Sequence, residues 1–167
     1  MKAKRVGGDS RTARAVETKR GEAVIDHPTI HRRDGIVTAV GVLSAIYAAT
    51  FFCGALLHTG VRIPLGFAVL AEPTIIPATV VEGLCGLALA VAAFAVFTHK
   101  SSAWTAAFAA HAFALGGVLL GITALAVGAG PSTELNTIYH RVMVVALVAV
   151  LALLASPAAR TAFRRAT

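Results

Sequence analysis

Glu82 and His111 are ionisable side chains placed well inside long apolar stretches of this 167-residue sequence. A carboxylate at bilayer depth costs roughly 2.5–3.5 kcal/mol on insertion scales unless it is protonated or paired. From the helical rise, Glu82 lies roughly 11 Å below the outer start of its stretch, and His111 roughly 12 Å above the inner start of the next. In a hydrocarbon core of about 30 Å their heights then differ by only about 7 Å. We therefore expect adjacent antiparallel helices to bring the two side chains together.

A carboxylate–imidazole pair of this kind indicates a binding site for a hydrophobic ligand such as a quinone. Quinone carbonyls need hydrogen-bond donors and protons in an otherwise apolar pocket. Cys85 lies within one turn of Glu82 and is included in the predicted cofactor-binding set of Glu82, His111 and Cys85. The alternative is structural: Glu82 is protonated and bonded to a backbone carbonyl or to Thr79, and His111 is a neutral packing residue beside Phe108.

A second polar cluster is predicted at the outer end of the apolar stretches. His58, Glu72, Glu134 and His140 form its candidate metal set, with Asn136 and Tyr139 in the same stretch as Glu134 and His140. Imidazole and carboxylate ligands suit Zn²⁺ or Cu²⁺, and two facing histidines could instead ligate haem b. The cluster contains no HxxxH spacing, and the sequence contains no CxxC or CxxCH motif, so the spacing itself does not specify a metal. Interfacial side chains that snorkel or form salt bridges would give the same pattern.

The elements that must position these residues are membrane helices, and the predicted fold class is all-α. Hydrophobic residues make up 57% of the chain and charged residues only 14%, which excludes an ordinary soluble domain. Four apolar stretches, 36–57, 75–97, 103–127 and 138–155, approach or exceed the roughly 20 residues that cross a bilayer. We therefore predict a polytopic four-helix transmembrane bundle over residues 35–158.

Lysine and arginine residues crowd into the two ends of the chain. Residues 1–34 are predicted to form a basic, disordered cytoplasmic tail, and residues 159–167 a second basic cytoplasmic tail. The excess of positive charge on one side places both termini in the cytoplasm. The first tail has no aromatic residue to stack on a base, so the charge favours contact with membrane lipid and not with nucleic acid. The connection 58–74 is apolar and is predicted to be either a lid along the outer interface or a surface connector without a role.

Residues 81–89 (VEGLCGLAL), the polar turn 99–102 (HKSS) and the alanine-rich third stretch resemble the DoxX-like group of small four-helix membrane proteins. The resemblance implies a four-helix bundle in the bacterial cytoplasmic membrane. For some relatives it implies an accessory role in quinone-linked sulfur or oxidative-stress chemistry. The chain departs from the group in its long basic N-terminal tail and in the stretch 134–141.

The expected function is that of an accessory or redox-associated membrane protein that binds a hydrophobic ligand, with no independent catalytic activity. A haem- or metal-binding protein that uses the outer histidines is the first alternative, and a structural or assembly subunit of a membrane complex is the second. The expected partners are membrane lipid and either a membrane complex or further copies of the chain. A hydrolase is the least favoured function, because no Ser/His/Asp or HExxH constellation can be assembled.

Overall fold

The computed structural model describes residues 27–131 and 133–166, with side chains described from Gly35 onward. Its elements, in chain order, are α1 (His27–Leu57), β1 (Ile63–Pro64), β2 (Val69–Leu70), α2 (Ile76–Phe97), α3 (Ala103–Ala126), α4 (Glu134–Ala155) and α5 (Pro157–Ala166). Residues 1–26 of the predicted N-terminal tail lie outside the described residues. Residues 27–34 were also predicted to be tail, but they are helical and belong to α1.

Four of the helices are long and apolar enough to cross a membrane, which confirms the predicted multi-pass bundle. These spans are Gly35–Leu57, Ile76–Phe97, Ala103–Ala126 and Glu134–Ala155. Their outward faces carry large apolar side chains, such as Phe94 at 63% and Val145 at 71% exposure. Such a surface suits a lipid environment, because the acyl chains are as apolar as these side chains.

The fourth span begins four residues earlier than the hydropathy pattern predicts. Thr133 has an extended backbone and its hydroxyl accepts a hydrogen bond from the N–H of Asn136 at 3.1 Å, which caps α4. A capping hydroxyl satisfies one of the amide groups that a helix N-terminus leaves without an internal partner. The polar residues Asn136 and His140 are consequently inside the helix and buried.

The membrane helices pack in chain order, α1 against α2, α2 against α3 and α3 against α4. Glycines accept side chains from neighbouring helices: Gly86 accepts the Phe52 ring, Gly117 the Cys85 thiol and Gly121 the His140 imidazole. Small residues allow close approach where lipid provides no hydrophobic driving force. The Gly117–Gly121 motif therefore closes contacts within this chain.

One end of the bundle carries a short amphipathic helix that was not predicted from the sequence. This α5 end comprises residues 98–102 and α5, and residues 159–167, predicted to be a tail, are helical up to Ala166. Ser156 caps α5 by accepting the N–H of Ala159 at 3.2 Å, and Phe163 is buried against the start of α1 and the end of α4. The indole Nε1 of Trp104 donates to the Leu154 carbonyl at 3.0 Å and ties α3 to the end of α4.

The opposite end, called here the hairpin end, comprises residues 58–75 and 127–133. Residues 63–70 form a small antiparallel hairpin in which Ile63 pairs with Leu70, and its turn needs the left-handed backbone of Gly66, at φ +85°. Phe67 at the tip is 91% exposed. The Thr133 hydroxyl hydrogen bonds to the Glu72 carboxylate, with its oxygen 2.7 and 2.8 Å from the two carboxylate oxygens. The connection is thus an ordered element fastened to the start of α4.

Candidate functional site

Glu82 pairs with His58 and not with His111, so the predicted Glu82–His111 pair is wrong. His58 Nε2 lies 3.8 Å from Glu82 Oε1, and both residues are buried. Glu82 is in the second turn of α2, and His58 directly follows the last residue of α1. The backbone N–H of His58 still donates to the Gly54 carbonyl at 3.0 Å, which holds the imidazole over the end of the bundle.

The second carboxylate oxygen of Glu82 is buried and has no hydrogen-bond partner among the described residues. It lies against Gly54 of α1, where a Cβ atom would be only 2.5 Å from Oε2. Gly54 therefore provides the space that the carboxylate occupies. A buried acceptor without a partner is costly, and such groups are typical of sites that bind a polar ligand atom or water.

The surroundings of His58 define where its proton lies. Its Nδ1 is 3.3 Å from the Pro73 carbonyl oxygen, and a carbonyl can only accept, so Nδ1 carries a hydrogen. Nε2 then faces the Glu82 carboxylate at 3.8 Å, which is beyond direct hydrogen-bond distance. One further proton, called here the shared proton, can be carried by either Nε2 or the carboxylate.

His111 belongs to another part of the bundle interior. Its Nδ1 is 2.8 Å from the Ala107 carbonyl oxygen, and its ring meets the Tyr47 ring edge-on with centroids 6.0 Å apart. His111 Nε2 is buried without a hydrogen-bond partner in the described part of the chain. Depth along the bundle gave similar heights for Glu82 and His111, but it does not determine the direction in which each side chain leaves its helix.

A cavity of about 260 Å³ lies beside the His58–Glu82 pair, between the start of α2, the end of α3 and the start of α4. We call it the α2–α4 cavity. Its polar side chains are His58, Glu82, Asn136 and His140, and the remainder of its wall is apolar or small. The apolar and small residues are Ile75, Pro77, Ala78, Val81, Gly117, Leu120, Gly121, Ala124, Leu125, Ala129 and Gly130.

A smaller cavity of about 130 Å³, the α1–α4 cavity, lies on the other side of the same pair. His58, Glu82 and Asn136 line both cavities, so these three side chains form the partition between them. Tyr139 also lines the α1–α4 cavity, and its buried hydroxyl has no hydrogen-bond partner within the described residues. A donor and an acceptor that both lack partners, Tyr139 and Glu82, thus border the same space.

One ring nitrogen of His140, at the wall of the α2–α4 cavity, has no hydrogen-bond partner among the described residues. Its Nδ1 is 2.8 Å from the Asn136 carbonyl oxygen, so this nitrogen carries the hydrogen. Nε2 lies against Gly121 of α3, where any larger residue would displace it. In neutral His140, Nε2 is an acceptor directed at the helix that forms the opposite wall.

The predicted metal set of His58, His140, Glu72 and Glu134 is not assembled. Among the described residues, no group of three or more His, Cys, Asp or Glu side chains is close enough to hold a metal ion. Glu72 is engaged by Thr133, and Glu134 is exposed in the first turn of α4. Both nitrogens of His58 face protein oxygens, which leaves neither directed at a haem iron.

Cys85, predicted to bind a cofactor, lines neither cavity. It is fully buried, and its thiol packs against Gly117 inside the core formed by Leu89, Ala114 and Leu147. The other cysteine, Cys53, lies at the wall of the α1–α4 cavity. Both thiols are free.

The roles of Gly54, which makes room for the Glu82 carboxylate, and Gly121, which makes room for the His140 imidazole, were not predicted from the sequence. Gly54 and His58 are four residues apart, as are Asn136 and His140, so each pair occupies one helix face. This spacing was a usable signal for the site. The contact between Gly54 of α1 and the Glu82 carboxylate of α2 could not be predicted from the sequence, because it depends on how the two helices are rotated against each other.

Comparison of the chain with protein-family models, with curated proteins and with solved structures gives no significant match.

Proposed function

We propose that the protein binds a lipophilic ring that carries carbonyl or hydroxyl groups, such as a quinone head group, in the α2–α4 cavity. Its role is accessory: the protein holds the ligand beside groups that exchange protons, in support of a redox partner in the same membrane. The observation that carries this proposal is the buried His58–Glu82 pair at the wall of an otherwise apolar cavity. Intramembrane ionisable residues of this kind mark binding sites or proton pathways by default.

The cavity volume supports a ligand of ring size. An apolar cavity of about 150 Å³ in a protein core accommodates benzene, so about 260 Å³ accommodates a substituted ring. Val81, Leu120 and Leu125 provide apolar surface for the ring faces. Because the cavity lies between membrane helices, a ligand with an isoprenoid or alkyl tail can keep that tail in the lipid.

The polar groups suit both states of a quinone. His140 Nε2 accepts a hydrogen bond from the hydroxyl of a quinol, and when protonated it donates to the carbonyl of a quinone. The proton shared by His58 and Glu82 provides a second donor on the α1 side of the cavity. General acid–base groups within hydrogen-bond distance of a reacting oxygen are what proton exchange with a quinol requires.

The proposed topology places the cavity near the outer leaflet of a bacterial cytoplasmic membrane. Lys100, Arg160, Arg164 and Arg165 lie at the α5 end, and positive charge favours the cytoplasmic side. The hairpin end then faces outward, with both termini in the cytoplasm. The DoxX-like resemblance of residues 81–89 agrees with this placement and with a quinone-linked accessory role.

Equilibrium binding of a short-tailed ubiquinone analogue to the detergent-purified protein tests the proposal. Glu82→Gln removes the shared proton site and is expected to weaken binding roughly 10- to 100-fold, since a hydrogen bond to a charged group contributes about 1.5–3 kcal/mol. Ala124→Leu, which fills the cavity from α3, is expected to block binding with all polar groups retained. The matched control Glu134→Gln changes an exposed carboxylate at the same end and should bind normally. Unchanged affinity in both Glu82→Gln and Ala124→Leu would contradict the proposal.

A further inference from the structure

A third cavity, also of about 260 Å³, is a groove at the α5 end of the bundle, opposite the hairpin end that holds the candidate site. It lies between the start of α3 and the outward face of α5. Its lining residues are Ser101, Trp104, Thr105, Arg160, Phe163 and Arg164. Nothing in the proposed quinone site uses these residues.

The groove carries positive charge that no carboxylate neutralises among the described side chains. Arg160 and Arg164 are four residues apart on α5 and both are exposed, so their side chains lie on one face of the helix. The Arg160 guanidinium lies over the Trp104 ring, 5.4 Å from its centroid, a cation–π contact that restricts its position. Within the side chains that the structure describes, no carboxylate is within ion-pair distance of either arginine.

Neutral donors complete the groove. Ser101 and Thr105 line it with hydroxyl groups that have no hydrogen-bond partner in the described part of the chain. Planar guanidinium groups match the oxygens of a phosphate in pairs of parallel hydrogen bonds. Two guanidinium groups and two hydroxyls around one space are therefore a donor set for a phosphate monoanion or diester.

The position of the groove selects a lipid as the source of that phosphate. Trp104 is the second residue of a membrane-spanning helix, and α4 ends at Ala155 beside it. Tryptophan at such helix ends lies at the level of the lipid head groups. The groove thus opens where phospholipid phosphates are found, and Phe163 adds apolar surface.

We infer that the groove binds the phosphate of one anionic phospholipid, such as phosphatidylglycerol, and that this lipid fastens α5 against α3. Under the proposed topology the lipid belongs to the cytoplasmic leaflet. Basic recesses between membrane helices on that side are suited to anionic head groups. The inference stands on the groove alone and does not depend on the identity of the ligand at Glu82.

Native mass spectrometry of the full-length protein, titrated in detergent with phosphatidylglycerol or phosphatidylcholine, tests this inference. The wild type is expected to retain one phosphatidylglycerol in preference to phosphatidylcholine. The double variant Arg160→Gln/Arg164→Gln is expected to weaken that binding about 30-fold, given the usual contribution of two basic residues near a lipid surface. The double variant Lys100→Gln/Arg165→Gln removes the same charge outside the groove and should retain the lipid.

Three results would overturn the inference. Equal loss in both double variants would mean that net charge, including the charge of the basic N-terminal residues, attracts the lipid. Displacement of phosphatidylglycerol by an equal concentration of inorganic phosphate would mean that a free anion and not a lipid is bound. Absence of a retained lipid in the wild type would mean that the groove does not bind a phospholipid.

Discussion

Replacing Gly54 with alanine moves the Glu82 carboxylate without removing it. The new Cβ atom would lie 2.5 Å from Oε2 and 3.0 Å from the carboxylate carbon. Carbon and oxygen atoms in ordinary contact are about 3.5 Å apart, so the carboxylate must move by about 1 Å. It must move away from α1, which changes its 3.8 Å separation from His58.

The control for this variant is Gly116→Ala. Gly116 is also inside a membrane helix, but a Cβ atom there would meet nothing within 4 Å. Both substitutions reduce the flexibility of the unfolded chain by a similar amount, about 0.4–1 kcal/mol. Only Gly54→Ala adds the cost of overpacking, about 1–3 kcal/mol. The difference in unfolding free energy between the two variants should therefore be about 1–3 kcal/mol.

Gly54→Ala is also expected to weaken ligand binding. A carboxylate displaced by about 1 Å no longer holds its shared proton at the cavity wall, and a charge-assisted hydrogen bond to the ligand, about 1.5–3 kcal/mol, is lost. Binding of the quinone analogue to Gly54→Ala should weaken roughly tenfold or more relative to Gly116→Ala. Equal affinities in two folded variants would refute the role assigned to the Glu82 position.

Three further predictions concern the cap of α4, the hydrogen bond of Trp104 and the orientation of the bundle in the membrane. Thr133→Ala removes both the α4 cap and the hydrogen bond to Glu72 in the hairpin connection. It should cost about 1–2 kcal/mol of unfolding free energy and increase hydrogen exchange in residues 63–70. Thr133→Ser keeps the hydroxyl and should leave both the stability and the hydrogen exchange close to wild type. Trp104→Phe leaves the Leu154 carbonyl without its donor and should cost about 1–3 kcal/mol of unfolding free energy; a stability equal to wild type would show that this hydrogen bond does not hold α3 against the end of α4. In intact cells a membrane-impermeant maleimide should label Phe67→Cys above the wild-type background and leave Arg165→Cys unlabelled; the reverse result would invert the proposed topology.

The number and bounds of the membrane helices could be predicted from the sequence, because a bilayer of fixed thickness selects apolar segments of fixed length. The error at the fourth span came from Asn136 and His140, polar residues that lower the hydropathy of the helix start although both are buried. Hydropathy measures the average of a segment. It does not register that a helix begins at a capping hydroxyl such as that of Thr133.

Helix α5 was missed because its ten residues are too few and too basic to appear as a span. The signal was nevertheless present in the spacing of Ala159, Ala162 and Phe163, which lie on one face, with Arg160 and Arg164 on the other. An apolar face at this period is typical of an amphipathic helix at a membrane surface. Short amphipathic helices are therefore recognised from the spacing of apolar residues in a short window and not from the mean hydropathy of that window.

The partner of Glu82 could not be predicted from depth alone. A sequence gives the height of a residue along a helix from the rise per residue, but the rotation of one helix against another depends on packing. Here Gly54 lets α1 approach the carboxylate, and the chain after α1 turns so that His58 covers it. His111 of α3 instead contacts Tyr47, which is also in α1. Glu82 and His111 therefore both face α1, but at different positions along it.

The most direct test of the central claim is photo-crosslinking with an azido-quinone, mapped by mass spectrometry of the full-length protein in membranes. Labelling is expected in residues 75–82 and 117–130, which line the α2–α4 cavity, and it should decrease with excess unlabelled quinone and in Ala124→Leu. Labelling spread over the lipid-facing side chains, or labelling insensitive to competitor, would contradict a quinone site beside the His58–Glu82 pair.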